Sequence, residues 1–298
     1  MAKYEWSEVF MSIEGEAKYA GHPTAYIRFT KCNFSCKGFN NPECCDTQSL
    51  ETLGFDPKDY ADIYSIPLIT KGCDSIYSWD EKFSHMWHKG TEDDLGNELK
   101  KVLPHGSFTN PISGKSVILS LTGGEPTLRA KFFKPLLESE ALKSCKHVLI
   151  ETNCGVPLQW NVISDLNQWL CADTTRKLTW SNSPKLSVSG EKWEDAIVPQ
   201  IAGRQRMVTG REGFNQVDQY FKFVCGPNEA DFAEVAEAME EYFAVGIPRS
   251  VEIYIMPTAC TEEQQQSVAA KVAAMCMDRG YIYCHRIQNS VFGNGVGT

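Results

Sequence analysis

The chain has 298 residues, 42% of them hydrophobic and 22% charged, with a formal net charge of −9 at pH 7. That is enough apolar material for one large α/β domain, and too acidic a balance for a broad phosphate-binding surface, which excludes a general nucleic-acid binder. No apolar run approaches the ~18 residues that span a membrane, and residues 1–6 lack the apolar core of a secretion signal, so a cytoplasmic protein is expected.

In chain order, residues 24–30 are rich in β-branched and aromatic side chains and predict a strand feeding into Cys32. Residues 37–70 carry Pro, Asn, Asp and Gly without periodicity, as an inserted excursion would. Thr91-Glu92-Asp93-Asp94 is a capping-box signal that opens a helix to about residue 103. Residues 116–121 predict a buried strand that ends at Gly123-Gly124. A helix is then expected over 131–143, a strand over 147–151, a helix over 160–170 and extended chain over 178–187. Strands at 220–224 and 251–256 alternate with helices at 229–243 and 262–279, and a short strand over 281–285 closes the series. This alternation predicts βαβ units on a parallel sheet. About six units are too few for a closed eight-stranded barrel, so a partial TIM-like βα barrel is expected, with its chemistry at the carboxyl ends of the strands. Four polar motifs fall at such ends: Cys32, Gly123-Gly124-Glu125, Glu151-Thr152-Asn153 and Ser183-Pro184-Lys185.

The cysteines carry the sharpest signal. Cys32 and Cys36 are followed by Lys37-Gly38, and Lys71-Gly72 precedes Cys73. With residues 37–70 removed, the text reads C-N-F-S-C-K-G-C-D-S, a C-x3-C-x2-C pattern. Three thiolates hold a cubane iron–sulfur cluster and leave its fourth iron open to a small molecule. The repeated Lys-Gly favours Cys73 as the third ligand, with Cys45 the alternative. A zinc site built from Cys32, Cys36, Cys44 and Cys45 is the competing reading, because zinc takes four protein ligands. In a cytosolic chain the remaining seven cysteines, Cys145, Cys154, Cys171, Cys225, Cys260, Cys276 and Cys284, are expected to be buried free thiols. Glycines at a strand end let backbone approach a ligand closely. Glu14 and Glu16 flank Gly15 in a turn. Arg28, if it points inward, becomes an anion clamp. Tyr77, Trp79, Phe83 and Trp87 are expected to pack, and His85 and His88 have no evident metal partner.

Together these residues resemble the radical S-adenosylmethionine (SAM) superfamily and, more closely, the 7-carboxy-7-deazaguanine synthase family of queuosine and 7-deazaguanine biosynthesis. The resemblance runs over Ser12-Ile13-Glu14-Gly15-Glu16, Ile27-Arg28, Cys32-Asn33, residues 73–80 (Cys-Asp-Ser-Ile-Tyr-Ser-Trp-Asp), Thr122-Gly123-Gly124-Glu125-Pro126, Glu151-Thr152-Asn153, Ser183-Pro184-Lys185 and residues 288–298. It implies a single radical SAM domain over 1–298, with 37–70 inserted in the cluster-binding loop. It implies a [4Fe–4S] cluster on Cys32, Cys36 and Cys73, SAM on Gly123, Gly124, Glu125, Glu151, Thr152, Asn153, Ser183 and Lys185, and Mg2+ at Ser75. It further implies cleavage of SAM to a 5′-deoxyadenosyl radical, which converts 6-carboxy-5,6,7,8-tetrahydropterin to 7-carboxy-7-deazaguanine with loss of ammonia. Glu14, Glu16, Arg28 and Gln288 match substrate-facing positions. An electron donor such as flavodoxin and a homodimer are implied as partners; a glycyl-radical-enzyme activase is the alternative within the superfamily. The chain departs from the family at Glu14, usually Gln; at Lys31, usually Gly; at Ser75, usually Thr; and at Gln288, where a histidine is thought to face the substrate.

Overall fold

The computed structural model describes residues 4–41, 53–293 and 295–297. Its frame is a nine-stranded mixed sheet: β1 (Tyr4–Ile13), β2 (Pro23–Phe29), β3 (His88–Gly90), β4 (Ile118–Gly123), β5 (His147–Thr152), β6 (Lys177–Asn182), β7 (Val217–Cys225), β8 (Ile253–Pro257) and β9 (Ile282–Tyr283). The strand order is β3-β1-β2-β4-β5-β6-β7-β8-β9. From β2 onward the neighbours run parallel, while β1 lies antiparallel between β2 and β3.

The helices are α1 (Glu92–Val102), α2 (Phe133–Leu137), α3 (Trp160–Cys171), α4 (Trp193–Ala196), α5 (Pro199–Gln205), α6 (Glu229–Ala244), α7 (Glu262–Arg279) and α8 (Ile287–Phe292). The capping box expected at Thr91 and Asp94 opens α1, and a second one, Thr261 with Gln264, opens α7. The long helix expected over 131–143 does not form. Pro126–Phe132 is a run of 3₁₀ turns, α2 has only five residues, and a further 3₁₀ turn follows at Glu140–Leu142. Pro135 lacks an N–H and cannot sit deep inside a helix, so the α-helical turn starts only at Phe133 and keeps the proline in its first turn. Strands β1 and β3 were not anticipated; a register irregularity between Trp6 and Glu8 breaks the alternation that would have announced β1. Among the described residues no helix is long and apolar enough to cross a membrane.

Strand periodicity gives the sheet two different faces. On one face Ala25, Ile27, Phe29, Leu119, Leu121, Val148, Ile150, Leu178 and Trp180 pack with α1 and α3 residues in one core, and Phe221, Phe223 and Ile255 pack with α6 and α7 residues in a second. The alternate positions form the other face: Arg28, Ser120, Thr122, Glu151, Thr179, Ser181 and Lys222, with only a small apolar group around Leu149 and Tyr220. Ala17 on the connection leaving β1 donates its N–H to Cys284 Sγ beyond β9, and Glu16 pairs with Lys222 on β7. In sheet order these partners lie seven and five places from β1. A flat sheet would separate them by roughly 34 and 24 Å. The sheet is therefore strongly curved, and its polar face is concave.

Candidate active site

The concave face opens into a cavity of about 520 Å3. Its wall carries Cys32, Gly123, Gly124, Glu151, Thr152, Asn153, Ser183 and Lys185 from the expected carboxyl-end motifs, together with Cys36, Cys73, Glu14, Glu16, Arg28, Ser75 and Gln288. Cys44 and Cys45 fall outside the described residues. The three thiols pack against one small cluster with Phe34, Phe39 and Ala196. Burial pushes all three thiols up, Cys32 to about 12. Among the described residues no three His, Cys, Asp or Glu side chains gather closely enough to share one metal ion. A cubane does not require that, because each cysteine takes a different iron.

The loop carrying Cys32 is shaped by two unusual residues. Lys31 (φ 76°) and Cys36 (φ 47°) both occupy the left-handed region, which favours glycine. This accounts for the glycine that the resembled family carries where Lys31 stands here. The double glycine serves packing as well as the cavity. A Cβ on Gly123 would lie 2.1 Å from the Phe29 carbonyl oxygen, and one on Gly124 would lie 2.2 Å from that of Lys31. The close approach that requires glycine is thus to the backbone leaving β2, rather than to a ligand.

Glu125, expected on the cavity wall, stands behind it. It is fully buried and accepts hydrogen bonds from Thr127 N (3.0 Å), Thr127 Oγ1 (2.5 Å), Thr152 Oγ1 (2.8 Å) and Asn153 N (2.7 Å). Burial raises its carboxyl against the pull of these donors. Glu125 therefore joins the loops after β4 and β5. Asn153 in turn donates Nδ2 to Asn33 Oδ1 (2.8 Å) and toward Cys32 Sγ (3.7 Å). Ser120 and Thr122 donate to Glu151, and Lys185 folds onto Ser183. Ser75 Oγ lies 3.4 Å from Cys73 Sγ.

Below the thiols lies a buried network of charges. Glu16 pairs with Lys222, with Arg286 (Nε, 3.0 Å) and with the Gln288 amide (3.0 Å). Burial alone would raise the Glu16 carboxyl, but Lys222 and Arg286 hold it well below the usual range. Arg286 also reaches Asp74 (2.5 Å) and thereby ties the Cys73 loop to the tail of the chain. Glu14, 4% exposed, has no cation as a bonded partner among the described residues; it accepts from Tyr26 Oη (3.2 Å) and Glu16 N (3.3 Å). Burial, with Glu151 nearby, holds its carboxyl well above the usual range. Arg28 does face inward. Glu8 takes its Nε at 2.5 Å, and Phe10 and Tyr77 flank the guanidinium, whose terminal nitrogens have no hydrogen-bond partner among the described residues.

The excursion reaches the same cavity. Tyr64, Ile66, Leu68 and Ile69 stand on its wall, while Ile63, Ile69, Tyr77, Phe83 and Trp87 form a small core beneath, as expected for the aromatic cluster. His85 meets the Tyr60 carbonyl and His88 stacks on Trp6, away from the cavity. Of the seven cysteines expected to be buried, Cys171 is exposed, because it ends α3 on the solvent side. Cys260 lines the cavity and accepts from Asn40 Nδ2 (3.1 Å). Sequence reasoning missed Lys222, Arg286, Glu8 and Glu191. Lys222 alone left a local trace, a lysine centred in the apolar run Tyr-Phe-Lys-Phe-Val.

No family model matches the chain. Among curated proteins it is similar to 7-carboxy-7-deazaguanine synthases. The one from Koribacter versatilis is 26% identical over 54% of this chain and 48% of its own length. That from Rhodopirellula baltica is 27% identical over 98% of this chain and 88% of the relative. That from Methanopyrus kandleri is 46% identical over 56% of this chain and 54% of the relative. Each of these relatives is named a 7-carboxy-7-deazaguanine synthase, so the likeness is to a family of enzymes. The chain spans about half the length of the Koribacter and Methanopyrus synthases it matches, and most of the Rhodopirellula one. The fold agrees: the crystal structure of QueE from Escherichia coli superposes with a TM-score of 0.52 at 16% identity, over 95% of this chain and 93% of that one. The cavity fits the cofactors expected for such an enzyme, with three thiols on one wall, a glycine-lined backbone beside them and buried cations beneath.

Proposed function

We propose that this chain converts 6-carboxy-5,6,7,8-tetrahydropterin to 7-carboxy-7-deazaguanine with release of ammonia, as a radical SAM enzyme on a partial barrel. The observation that supports this most is the meeting of Cys32, Cys36 and Cys73 with Gly123-Gly124 and a buried cationic network in one cavity, in a chain similar to these synthases. Cys32, Cys36 and Cys73 would hold the [4Fe–4S] cluster. Cys45 remains the alternative third ligand, although Cys73 lies beside the other two. When bound, the cluster and SAM together supply a hydrogen-abstracting radical.

The protein's share is binding, orientation and exclusion of water. Gly123, Gly124, Thr152, Asn153, Ser183 and Lys185 offer backbone and short polar groups to SAM beside the thiols, with Glu125 bracing them from behind. Ser75 offers a hydroxyl to Mg2+, a hard cation that takes oxygen ligands. Arg28, with Nε fixed by Glu8, presents its remaining nitrogens to a substrate carboxylate. Burial raises the Glu14 carboxyl, which favours the protonated form that donates as well as accepts, as the glutamine usual in the family does. Gln288 takes the place of the usual histidine beside Glu16. Residues 37–70 form an insertion in the cluster loop of a single domain, and side chains between 64 and 69 line the same cavity as the thiols. A cytoplasmic homodimer reduced by a flavodoxin completes the reading.

The test is anaerobic reconstitution with iron and sulfide, then SAM, Mg2+, reductant and the carboxytetrahydropterin, with product sought by mass spectrometry. The cluster should be lost in C73A and kept in C45A. Protein with an intact cluster that yields neither 5′-deoxyadenosine nor the deazaguanine would sink the assignment.

A further inference from the structure

Outside the residues that face the cavity, one carboxylate makes an unusual set of contacts. A single oxygen of Glu191, Oε1, accepts from Cys36 N (2.6 Å), Ser35 N (2.8 Å) and Ser35 Oγ (3.2 Å), bridging more than 150 positions of sequence. The turn that carries it is docked on the same loop: Gly38 N donates to the Ser189 carbonyl (2.8 Å), and Ser189 Oγ accepts from Glu191 N (3.2 Å). A Cβ on Gly38 would lie 2.6 Å from the Val188 carbonyl oxygen, so the two backbones are in direct contact.

The contact falls where the chain needs it. Cys36 is a non-glycine residue at φ 47°. Such a conformation costs on the order of 1–3 kcal/mol and persists only where the surroundings over-determine it. The amide that Glu191 grips is the one at this strained position. Glu191 also removes two N–H donors from the neighbourhood of the Cys36 sulfur and puts a negative charge in their place. Hydrogen bonds and net charge around the sulfurs are among the factors that set an iron–sulfur cluster's potential. A carboxylate beside a ligating thiolate disfavours the added electron.

We infer that Glu191 is a positioning residue with two effects: it anchors the strained Cys36 backbone in the ligating conformation, and its charge lowers the reduction potential of the cluster held there. This rests on the reading of Cys36 as a cluster ligand. A low potential suits a site whose task is to deliver one electron to a sulfonium that is hard to reduce.

Two variants separate the effects. E191Q keeps an oxygen that can accept from both amides and removes the charge; E191A removes both. In the metal-free protein, alkylation of Cys36 by iodoacetamide, followed by mass spectrometry, should be roughly tenfold faster in E191A than in wild type, since a charge-assisted anchor is lost. E191Q keeps the anchor but loses the charge that disfavours the thiolate, so it should alkylate faster than wild type yet several-fold slower than E191A. In the reconstituted protein E191Q should bind as much iron as wild type but titrate at a higher potential. A tenfold shift of the one-electron equilibrium corresponds to about 59 mV. Alkylation no faster in E191A than in E191Q overturns the anchor, and equal potentials for wild type and E191Q overturn the charge effect. Wild-type protein that takes up no cluster overturns the functional reading and the charge effect with it, while the alkylation comparison still decides the anchor. Should E191A fail to fold, E191D, with the charge kept and the reach shortened, carries the alkylation test and should fall between wild type and full release.

Discussion

The concave face of the sheet has two levels that differ in how completely their polar groups are paired. At the amino-terminal level, Tyr19 Oη meets Thr179 Oγ1 (3.2 Å) and Asp218 (3.4 Å), His147 Nε2 meets Thr179 Oγ1 (3.0 Å), and Lys18 bridges Asp218 and Glu252. None of these side chains has a buried polar atom without a partner. On the wall of the cavity above, Gln288 Oε1 and Thr258 Oγ1 lack partners among the described residues, Glu14 has no bonded cation there, and burial raises all three thiols. Buried polar groups are normally satisfied, and unpartnered atoms on a cavity wall are free to pair with a bound ligand. The lower level is paired within itself, and the upper one keeps pairing capacity for a ligand. The comparison predicts that substitutions below will cost stability only, and that substitutions above will move stability and ligand binding separately.

The largest stability effect is expected at the boundary between the levels. Lys222 is 7% exposed and balances Glu16. K222M leaves Glu16 with Arg286 alone and should lower the unfolding free energy of the metal-free protein by about 3 kcal/mol, the order found when one member of a buried pair is removed. The double variant E16Q/K222M should recover at least half of that. A double variant as unstable as K222M would mean that packing of the lysine stem, not the charge pair, holds this region. Denaturant titration of the three proteins decides it.

A second pair of variants tests the two levels by pH, with opposite signs. Burial and the nearby Lys177 push His147 down to about 4 from an ordinary value of 6.5. As pH falls from 6.5 the unfolded chain takes up that proton first. Stability is therefore lost on acidification toward pH 4, by at most about 3 kcal/mol, and H147Q should escape this loss. Glu14 runs the other way. Its folded carboxyl is raised by burial, so the unfolded chain loses its proton first as pH climbs above about 4.3, and stability falls with rising pH. E14Q should match wild type near pH 4 and become the more stable protein above it. Melting temperatures measured from pH 4 to 8 test both, and parallel curves for wild type and E14Q would mean that Glu14 is charged in the folded protein.

What the sequence discloses about these levels follows from how local each feature is. Cys32-x3-Cys36, Gly123-Gly124 and the Thr91 capping box are patterns of neighbouring residues, and each is found where its spacing places it. The strand-end motifs share a wall because a parallel sheet gathers its carboxyl ends, a consequence of the βα alternation. The Glu16, Lys222 and Arg286 network and the grip of Glu191 on Cys36 join residues more than 150 positions apart. No local pattern specifies them. The double glycine was legible as a close approach, but one of its partners was not: the backbone leaving β2 lies against the Cβ side of both glycines, which also line the cavity. Pro135 is instructive among the helices: a helix begun at Lys131 would place its missing N–H in the interior, and α2 begins at Phe133 instead.

The smallest expected effect is the sharpest check on the lower level. Y19F removes one hydroxyl from a network in which Thr179 keeps His147 and Asp218 keeps Lys18. Because no partner is left bare, the loss should be about 1 kcal/mol, the net value of an ordinary hydrogen bond, rather than the larger cost of an orphaned polar atom. The ring remains packed edge-on to His147 at 4.8 Å, so the shape of the level is kept. Iron uptake and product formation should match wild type, since Tyr19 does not line the cavity. A Y19F protein that folds with near-normal stability but loads iron poorly would contradict the division into two levels. It would mean that order in the closed layer is transmitted along the Glu14–Tyr19 connection to the charges under the thiols.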